Sequence, residues 1–206
     1  MSALDHLVYA VPDLLKGVAD LVERTGVAPV PGGAHPGGTA NYLLGLGEGA
    51  YLEVIGPDPD AGGERPRAFG LETLTAPALA AWAVRTGDLD QAVRRARAAG
   101  YDPGPAEPLS RRRPDGTLLE WRLTRREDPA AVRPVPFLID WGTTAHPADS
   151  GLPELSLVSF TATHPDPGAL RRDLATVGAT ALTVARGDTV ALRAVLATPR
   201  GEVVLE

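Results

Sequence analysis

The feature that most constrains the fold of this chain is a unit that recurs three times along its 206 residues. Each copy begins with an apolar strand and a turn, continues with a helix and ends at a glycine, which is Gly26, Gly100 or Gly178. In the first copy the apolar residues Leu14 and Leu21 are spaced by two helical turns, as on one buried helix face. Such self-similarity predicts a fold assembled from one repeated supersecondary element.

Each helix is followed by further strands, which makes the repeated element a βαββ unit. The predicted strands span residues 41–46 and 51–55, then 117–124 and 135–140, and finally 181–185, 190–197 and 203–205. The sheet of such a unit has one face against its helix and one bare face, and two units can bury their bare faces by curving around a common space. We therefore predict an α+β fold in which repeated βαββ units form a curved mixed sheet around a cavity.

Two segments rich in proline, glycine and charge, residues 56–70 and 142–153, read as connections between units. The expected organisation is one domain over residues 1–145, with paired units at about 2–56 and 78–141, and a third unit over residues 154–206 that packs on this domain or completes it. The third unit is expected to repeat the topology of the first, because the turn at Pro12 recurs at Pro165 with a helix after each.

The composition excludes several classes of function. The chain contains no cysteine, so it has no disulfides, thiolate metal sites or cysteine nucleophiles. Its net charge of −6 argues against general affinity for nucleic acid or anionic membranes. We expect a cytoplasmic protein, since neither a secretory leader nor an apolar stretch approaching ~18 residues is present. Abundant Ala, Arg, Gly and Pro are typical of a GC-rich bacterial genome. The basic run Arg111-Arg112-Arg113 could hold an anionic group, but a solvated loop is the favoured interpretation.

Five motifs resemble those of a known superfamily. They are residues 4–14 (LDHLVYAVPDL), 31–37 (PGGAHPG), 41 with 43–47 (N and LLGLG), 51–55 (YLEVI) and 136–141 (PFLIDW). Together they resemble the glyoxalase-like domain proteins of the vicinal oxygen chelate (glyoxalase, bleomycin resistance and dioxygenase) superfamily. The resemblance implies the fold more than the reaction, because similar domains serve as lyases, isomerases, ring-cleaving dioxygenases and drug-binding resistance proteins.

Two side chains are the first candidates for a site. Strand alternation places His6 on the face opposite Leu7 and Tyr9, so that it faces the cavity while those two face the helix. Glu53 interrupts an apolar strand, where a lone carboxylate is costly unless it is paired or liganded. The resemblance implies that both are ligands of a divalent metal. The alternatives are a buried histidine bonded to a backbone carbonyl and an edge-strand charge that opposes aggregation.

Further candidates complete this site only in part. Asp140 lies in register with Glu53 in the second unit and can ligate a metal, but the first strand of that unit offers no ligand. His35, in a glycine-rich loop, is a candidate for moving a proton. Asn41 and Trp121 or Arg122 are candidates for binding a ligand, and the sequence leaves open which face of the strand at 117–124 lines the cavity.

These observations favour a glyoxalase-like protein that acts on or binds a small organic molecule in a cup-shaped cavity. In the enzyme version, a lyase, isomerase or dioxygenase, a divalent ion on His6, Glu53 and Asp140 would stabilise an oxyanion while His35 shuttles a proton. The alternative is a metal-free binding protein of the resistance or sequestration type, in which Trp121 and Asn41 hold the ligand. The sequence also leaves a homodimer open.

Overall fold

The computed structural model describes residues 3–113, 115–126 and 132–206, and within them the repeated units are evident. The first unit comprises β1 (Ala3–Ala10), α1 (Leu14–Thr25), β2 (Val30–Ala34), β3 (Thr39–Gly47) and β4 (Ala50–Pro57). The second comprises β5 (Ala78–Arg85), α2 (Leu89–Ala98), β6 (Ala106–Arg112), β7 (Leu118–Thr124) and β8 (Phe137–Asp140). The third comprises β9 (Ser156–His164), α3 (Pro167–Thr176), β10 (Thr183–Arg186), β11 (Ala191–Thr198) and β12 (Gly201–Leu205).

Local sequence accounts for the position of each helix. The carboxylates of Asp13, Asp88 and Asp166 each accept a backbone N–H of the first turn, which satisfies a donor that the helix itself leaves unpaired. At the other end of α1, Gly26 adopts the left-handed conformation with φ of 76°. Among the described residues, no helix is long and apolar enough to cross a membrane.

The first two units form a closed eight-stranded barrel in the order β1-β4-β3-β2-β6-β7-β8-β5. The curved mixed sheet expected from the sequence is confirmed. Each of these two units has one strand more than predicted, namely β2 in the glycine-rich segment and β6 in the basic segment. Pro31, Gly32 and Gly33 have low strand propensity, so β2 depends on its pairing with β3 rather than on its own composition.

The third unit has its own four-stranded sheet, but the expected repetition of topology is wrong in its strand order. That order is β10-β9-β11-β12, whereas the first unit runs β1-β4-β3-β2. The difference begins at the first strand of each unit. In the barrel β1 pairs with the last strand of its own unit and with β5, while β9 pairs with β10 and β11. The chain motif βαβ thus allows two ways of adding the later strands.

The faces of β1 agree with the predicted alternation. Leu7, Tyr9 and Val11 pack with α1 in the largest apolar cluster, which also contains the third unit's Phe160. Val8 faces the other way and packs with Ile55 of β4. The barrel interior is therefore the face on which His6 and the alternate residues of β4 lie.

Candidate functional site

His6 and Glu53 lie together inside the barrel. The strands β1 and β4 are parallel, with His6 opposite Tyr51 and Val8 opposite Glu53, so that the two polar side chains share the inner face. Both are buried, and His6 Nε2 lies 3.8 Å from Glu53 Oε2. This distance suits two neighbouring ligands of one ion, while a role in binding a metal stays a prediction.

A β-bulge brings a second carboxylate to His6. The pairing of β1 with β5 shifts between Leu4 and His6, which leaves Asp5 as the extra residue. Neighbours in a regular strand point to opposite faces, but here Asp5 Oδ1 lies 2.6 Å from His6 Nδ1. With its proton on Nδ1, His6 donates to Asp5 and presents Nε2 to Glu53. Sequence reasoning missed Asp5, because a bulge is set by the partner strand.

The other oxygen of Asp5 is held by three further groups. Its Oδ2 accepts a hydrogen bond from Trp141 Nε1 at 3.0 Å, lies 2.9 Å from His146 Nε2 and faces Arg85 Nε at 3.5 Å. Burial alone would raise the pKa of Asp5, but the hydrogen bonds with His146 and His6 outweigh burial and hold that pKa well below its usual range. Asp5 is thus an ionised buried carboxylate that fixes the imidazole of His6.

A second chain of contacts runs from Glu53 across the barrel. Asn41 Nδ2 donates to Glu53 Oε1 at 2.5 Å, and Arg111 Nη1 donates to Asn41 Oδ1 at 2.6 Å. The expectation of a solvated loop for the basic run is wrong at Arg111, which lies in β6 and is only 3% exposed. Burial lowers the pKa of Arg111, and the nearby charge of Glu53 opposes that shift. Only the pairing of β6 with its neighbours turns this one arginine inward.

His35 and Trp121 lie near this chain. His35 Nδ1 is 3.0 Å from Thr39 Oγ1, and its ring stands edge-to-face with Trp121 at 6.3 Å. Burial lowers the pKa of His35, although the charge of Glu53 opposes the shift, so the imidazole is neutral at neutral pH. The open question about β7 is settled, because Trp121 packs inside the barrel with Trp141.

Two predicted site residues lie elsewhere. Arg122 points away from the interior and forms a bidentate salt bridge of 2.9 Å with Asp90 of α2. Asp140 is opposite Arg122 in the register and accepts a hydrogen bond from Gly142 N at 2.9 Å. Its neighbour Ile139 is the residue that packs inward with Trp121 and Trp141. The structure therefore does not bring Asp140 to His6 and Glu53, because alternation in β8 has the opposite phase from the one assumed.

The donor set does not fit the divalent metal that the resemblance implies. His6 Nε2 and Glu53 Oε2 are adjacent, but a catalytic metal site takes about three protein ligands plus water. The inward positions that face this pair from β5 and β8 are apolar, namely Ala83 and Phe137, and the Phe137 ring lies 5.4 Å from that of His6. No cluster of three or more His, Asp or Glu suited to an ion occurs within residues 3–113, 115–126 and 132–206.

Comparison with protein families identifies one match. Residues 4–178 match the model of a family described as a glyoxalase-like domain. No curated protein matches the chain.

Several solved structures are similar. A hypothetical protein from Staphylococcus aureus shares 14% identity, with 100% of this chain and 86% of that chain covered and a TM-score of 0.63. Methylmalonyl-CoA epimerase from Mycobacterium tuberculosis shares 19% identity over 71% of this chain and 91% of that chain, with a TM-score of 0.39. The third is a variant methylmalonyl-CoA epimerase of Streptomyces coelicolor in complex with 2-nitronate-propionyl-CoA. It shares 18% identity over 71% of this chain and 99% of that chain, with a TM-score of 0.46. The likeness to the Staphylococcus protein shows a shared fold.

Proposed function

The chain belongs to the glyoxalase-like domain family, and on that premise we propose that it binds a small organic molecule inside the barrel and transfers a proton on it through Glu53. The observation that carries this proposal is the placement of Glu53. It is a buried carboxylate with one oxygen held by Asn41 and the other directed toward His6 Nε2. A carboxylate fixed in this way inside an apolar barrel is suited to accept a proton from a bound molecule.

His6 is suited to be the partner of Glu53 in this chemistry. Asp5 holds Nδ1 of its ring, which fixes the ring orientation and leaves Nε2 on the side of Glu53. A histidine oriented by a carboxylate is the usual arrangement for proton transfer at neutral pH. The reaction class that such a pair supports is an isomerisation or elimination that begins with removal of a proton from carbon.

His35 is the second candidate for moving a proton. Its ring is neutral at neutral pH and stands beside Trp121, directly after the end of β2. A neutral imidazole can both accept and donate a proton without first changing its charge state, which suits a shuttle. The metal-dependent version of the reaction has less support, since the two adjacent donors would hold a divalent ion only with several waters.

A binding protein without catalysis is the alternative, and the aromatic lining favours it. Tyr51, Trp121 and Trp141 lie in one cluster on the inner face, and the ring of Tyr51 stacks on His6 at 4.7 Å. Aromatic walls with a few convergent polar groups are typical of small-molecule sites. In this version Trp121 and Asn41 hold the ligand and no bond changes.

The variant Glu53→Gln separates these candidates. It keeps the side chain's shape but removes the base, so a ligand found by thermal-shift screening should still bind. Deuterium exchange at the acidic C–H of that ligand, followed by NMR in D2O, should be slower in Glu53→Gln than in the wild type by about 10²-fold or more. Glu120→Gln is the matched control, because Glu120 is exposed on the outer side of β7.

Equal exchange in wild type and Glu53→Gln would contradict the role of Glu53. A ligand that binds to the wild type without any exchange would instead support the binding protein.

A further inference from the structure

Arg111 is a buried cation whose hydrogen-bonding capacity is largely unused. It is 3% exposed, and its Nη1 donates to Asn41 Oδ1. Its Nε is buried without a hydrogen-bond partner, and among the described residues no carboxylate lies within salt-bridge distance of its guanidinium. A guanidinium carries five N–H donors in a planar fork, so this one is far from satisfied.

Such an arrangement is costly in the free protein. Burying a charge without a directly bonded counter-charge destabilises a fold, and buried charges are normally paired or liganded. Glu53 is a candidate counter-charge, but Asn41 stands between the two, bonded to Glu53 Oε1 on one side and to Arg111 on the other. The interposed amide keeps the carboxylate from occupying the fork.

One join between barrel strands lies beside this arginine. The strands β2 and β6 close the barrel at a single register pair, Ala34 with Arg112, whereas other neighbouring strands pair over longer stretches. Gly32 of β2 covers the hydrogen bond between Arg111 and Asn41, and a Cβ at this glycine would come within 2.2 Å of Arg111 Nη1. Among the described residues, this join of β2 and β6 has the fewest register pairs of any in the barrel, and it lies beside the guanidinium.

We propose that Arg111 binds the anionic group of a small organic acid, so that the molecule held in the barrel is a carboxylate. This inference rests on the proposed function and adds the class of its ligand. A planar fork matches the two oxygens of a carboxylate in a bidentate pair. A phosphate offers the same hydrogen-bonding oxygens, but the aromatic lining by Trp121 and Trp141 favours the smaller planar group.

The test uses propionate as the carboxylate and propionamide as its neutral isostere. Thermal shift and tryptophan fluorescence are measured at pH 7.5 with sodium chloride keeping the ionic strength constant, and inorganic phosphate is a third arm. We expect a saturable response to propionate, at least tenfold weaker binding of propionamide, and no saturable response to phosphate.

Variants locate the effect. Arg111→Gln keeps a polar amide but removes the charge and the end of the guanidinium that donates to Asn41, and we expect propionate affinity to fall at least tenfold. Arg111→Lys, which keeps the charge and loses the fork, should bind with intermediate affinity. Arg112→Gln is the control, because Arg112 is exposed and donates to Gly116 O outside the barrel.

Three outcomes would overturn the inference. Equal binding of propionamide would show that the site does not select a charged ligand. Unchanged propionate affinity in Arg111→Gln would show that Arg111 does not bind the anion. Either result would leave the proposed function standing. A response to phosphate alone would exclude the carboxylate. The comparison of propionate with propionamide needs only the wild type, so the inference can fail even where a variant does not fold.

Discussion

Asp5 is the residue on which the polar side of the site depends. It is fully buried and contacts both His6 and His146, and no apolar replacement could satisfy the two rings. We expect Asp5→Asn to lower the free energy of unfolding by roughly 2–3 kcal/mol, since hydrogen bonds to a charged group are lost. Urea unfolding measures this change. Asp20→Asn, at an exposed pair with Lys16, should change it little.

The same carboxylate makes stability depend on pH in the acid range. The pKa of Asp5 is lower in the folded state than its ordinary value of 3.8, so the unfolded chain binds the proton more readily. The contribution of ionised Asp5 to the free energy of unfolding is complete above about pH 5. It is lost as the pH falls below the ordinary pKa toward the pKa of the folded state. Between about pH 4 and pH 2, the thermal midpoint of the wild type should therefore fall more steeply than the thermal midpoint of Asp5→Asn. Parallel curves for the two proteins would contradict the assignment.

His35 gives a second pH dependence with its own window. Burial lowers the pKa of His35 below its ordinary value of 6.5, so protonation favours the unfolded chain and stability decreases as the pH falls below that value. An NMR titration of the ring protons should show this pKa below 6.5. In His35→Gln the decrease in stability over this range should be smaller. A ring pKa at or above the ordinary value would refute a neutral proton shuttle.

At the scale of elements, the short strand β2 is fitted to the polar chain that it covers. A Cβ at Gly32 would approach Asn41 Oδ1 to 2.1 Å, so Gly32→Ala has to displace Asn41 or Arg111. We expect a loss of about 1–3 kcal/mol in the free energy of unfolding, as for other overpacked sites. Gly37→Ala, five positions along in the next loop, meets nothing within 4 Å and should be close to neutral. Similar losses in both variants would show that backbone freedom, rather than the close contact, matters here.

At the scale of the whole molecule, the third unit is packed against the barrel. The Phe160 ring of β9 lies edge-to-face with Trp82 of β5 at 5.1 Å, and Leu79 N donates to Glu206 O. We expect Phe160→Ala to cost about 3–5 kcal/mol. Val158→Ala, two residues earlier on the same strand and 53% exposed, should cost little.

The shared core also predicts how the molecule unfolds. All three tryptophans lie in the barrel or directly after its last strand, so their fluorescence reports the barrel and, through Trp82 against Phe160, its contact with the third unit. Far-UV circular dichroism reports both sheets. Coincident urea transitions would show one cooperative body. Two separate transitions would mean that the third unit is an independent domain.

The metal content of the purified protein is a further property of the whole molecule. Two adjacent donors, one nitrogen and one oxygen, suit at most a weakly held ion that keeps most of its water. We expect elemental analysis to find little metal, and any bound ion to be removed by dialysis against a chelator. Stoichiometric zinc or iron that survives this treatment would contradict the expectation and favour the metalloenzyme.

The parts of the fold that sequence reasoning predicted are those set by local chemistry. The helix boundaries follow from side chains such as Asp13 and Gly26, which act within one turn of their own position. The inward face of β1 follows from alternation, since Leu7 and Tyr9 identify the face that packs on α1. His6 and Glu53 could be found for the same reason, because each is a polar residue on the apolar inner face of its strand.

What the amino-acid sequence determined by itself is therefore the repeated unit, its caps and the two central polar residues. Only the tertiary structure decided that Asp5 turns to His6, that Arg111 is buried and that Asp140 is not at the site. Each of these depends on the register between strands far apart in the chain. A shift of one residue reverses every side chain of a strand, and the apolar patterns of β6 and β8 alone do not specify their register. Partner strands fix it through the packing and hydrogen bonds of the closed barrel.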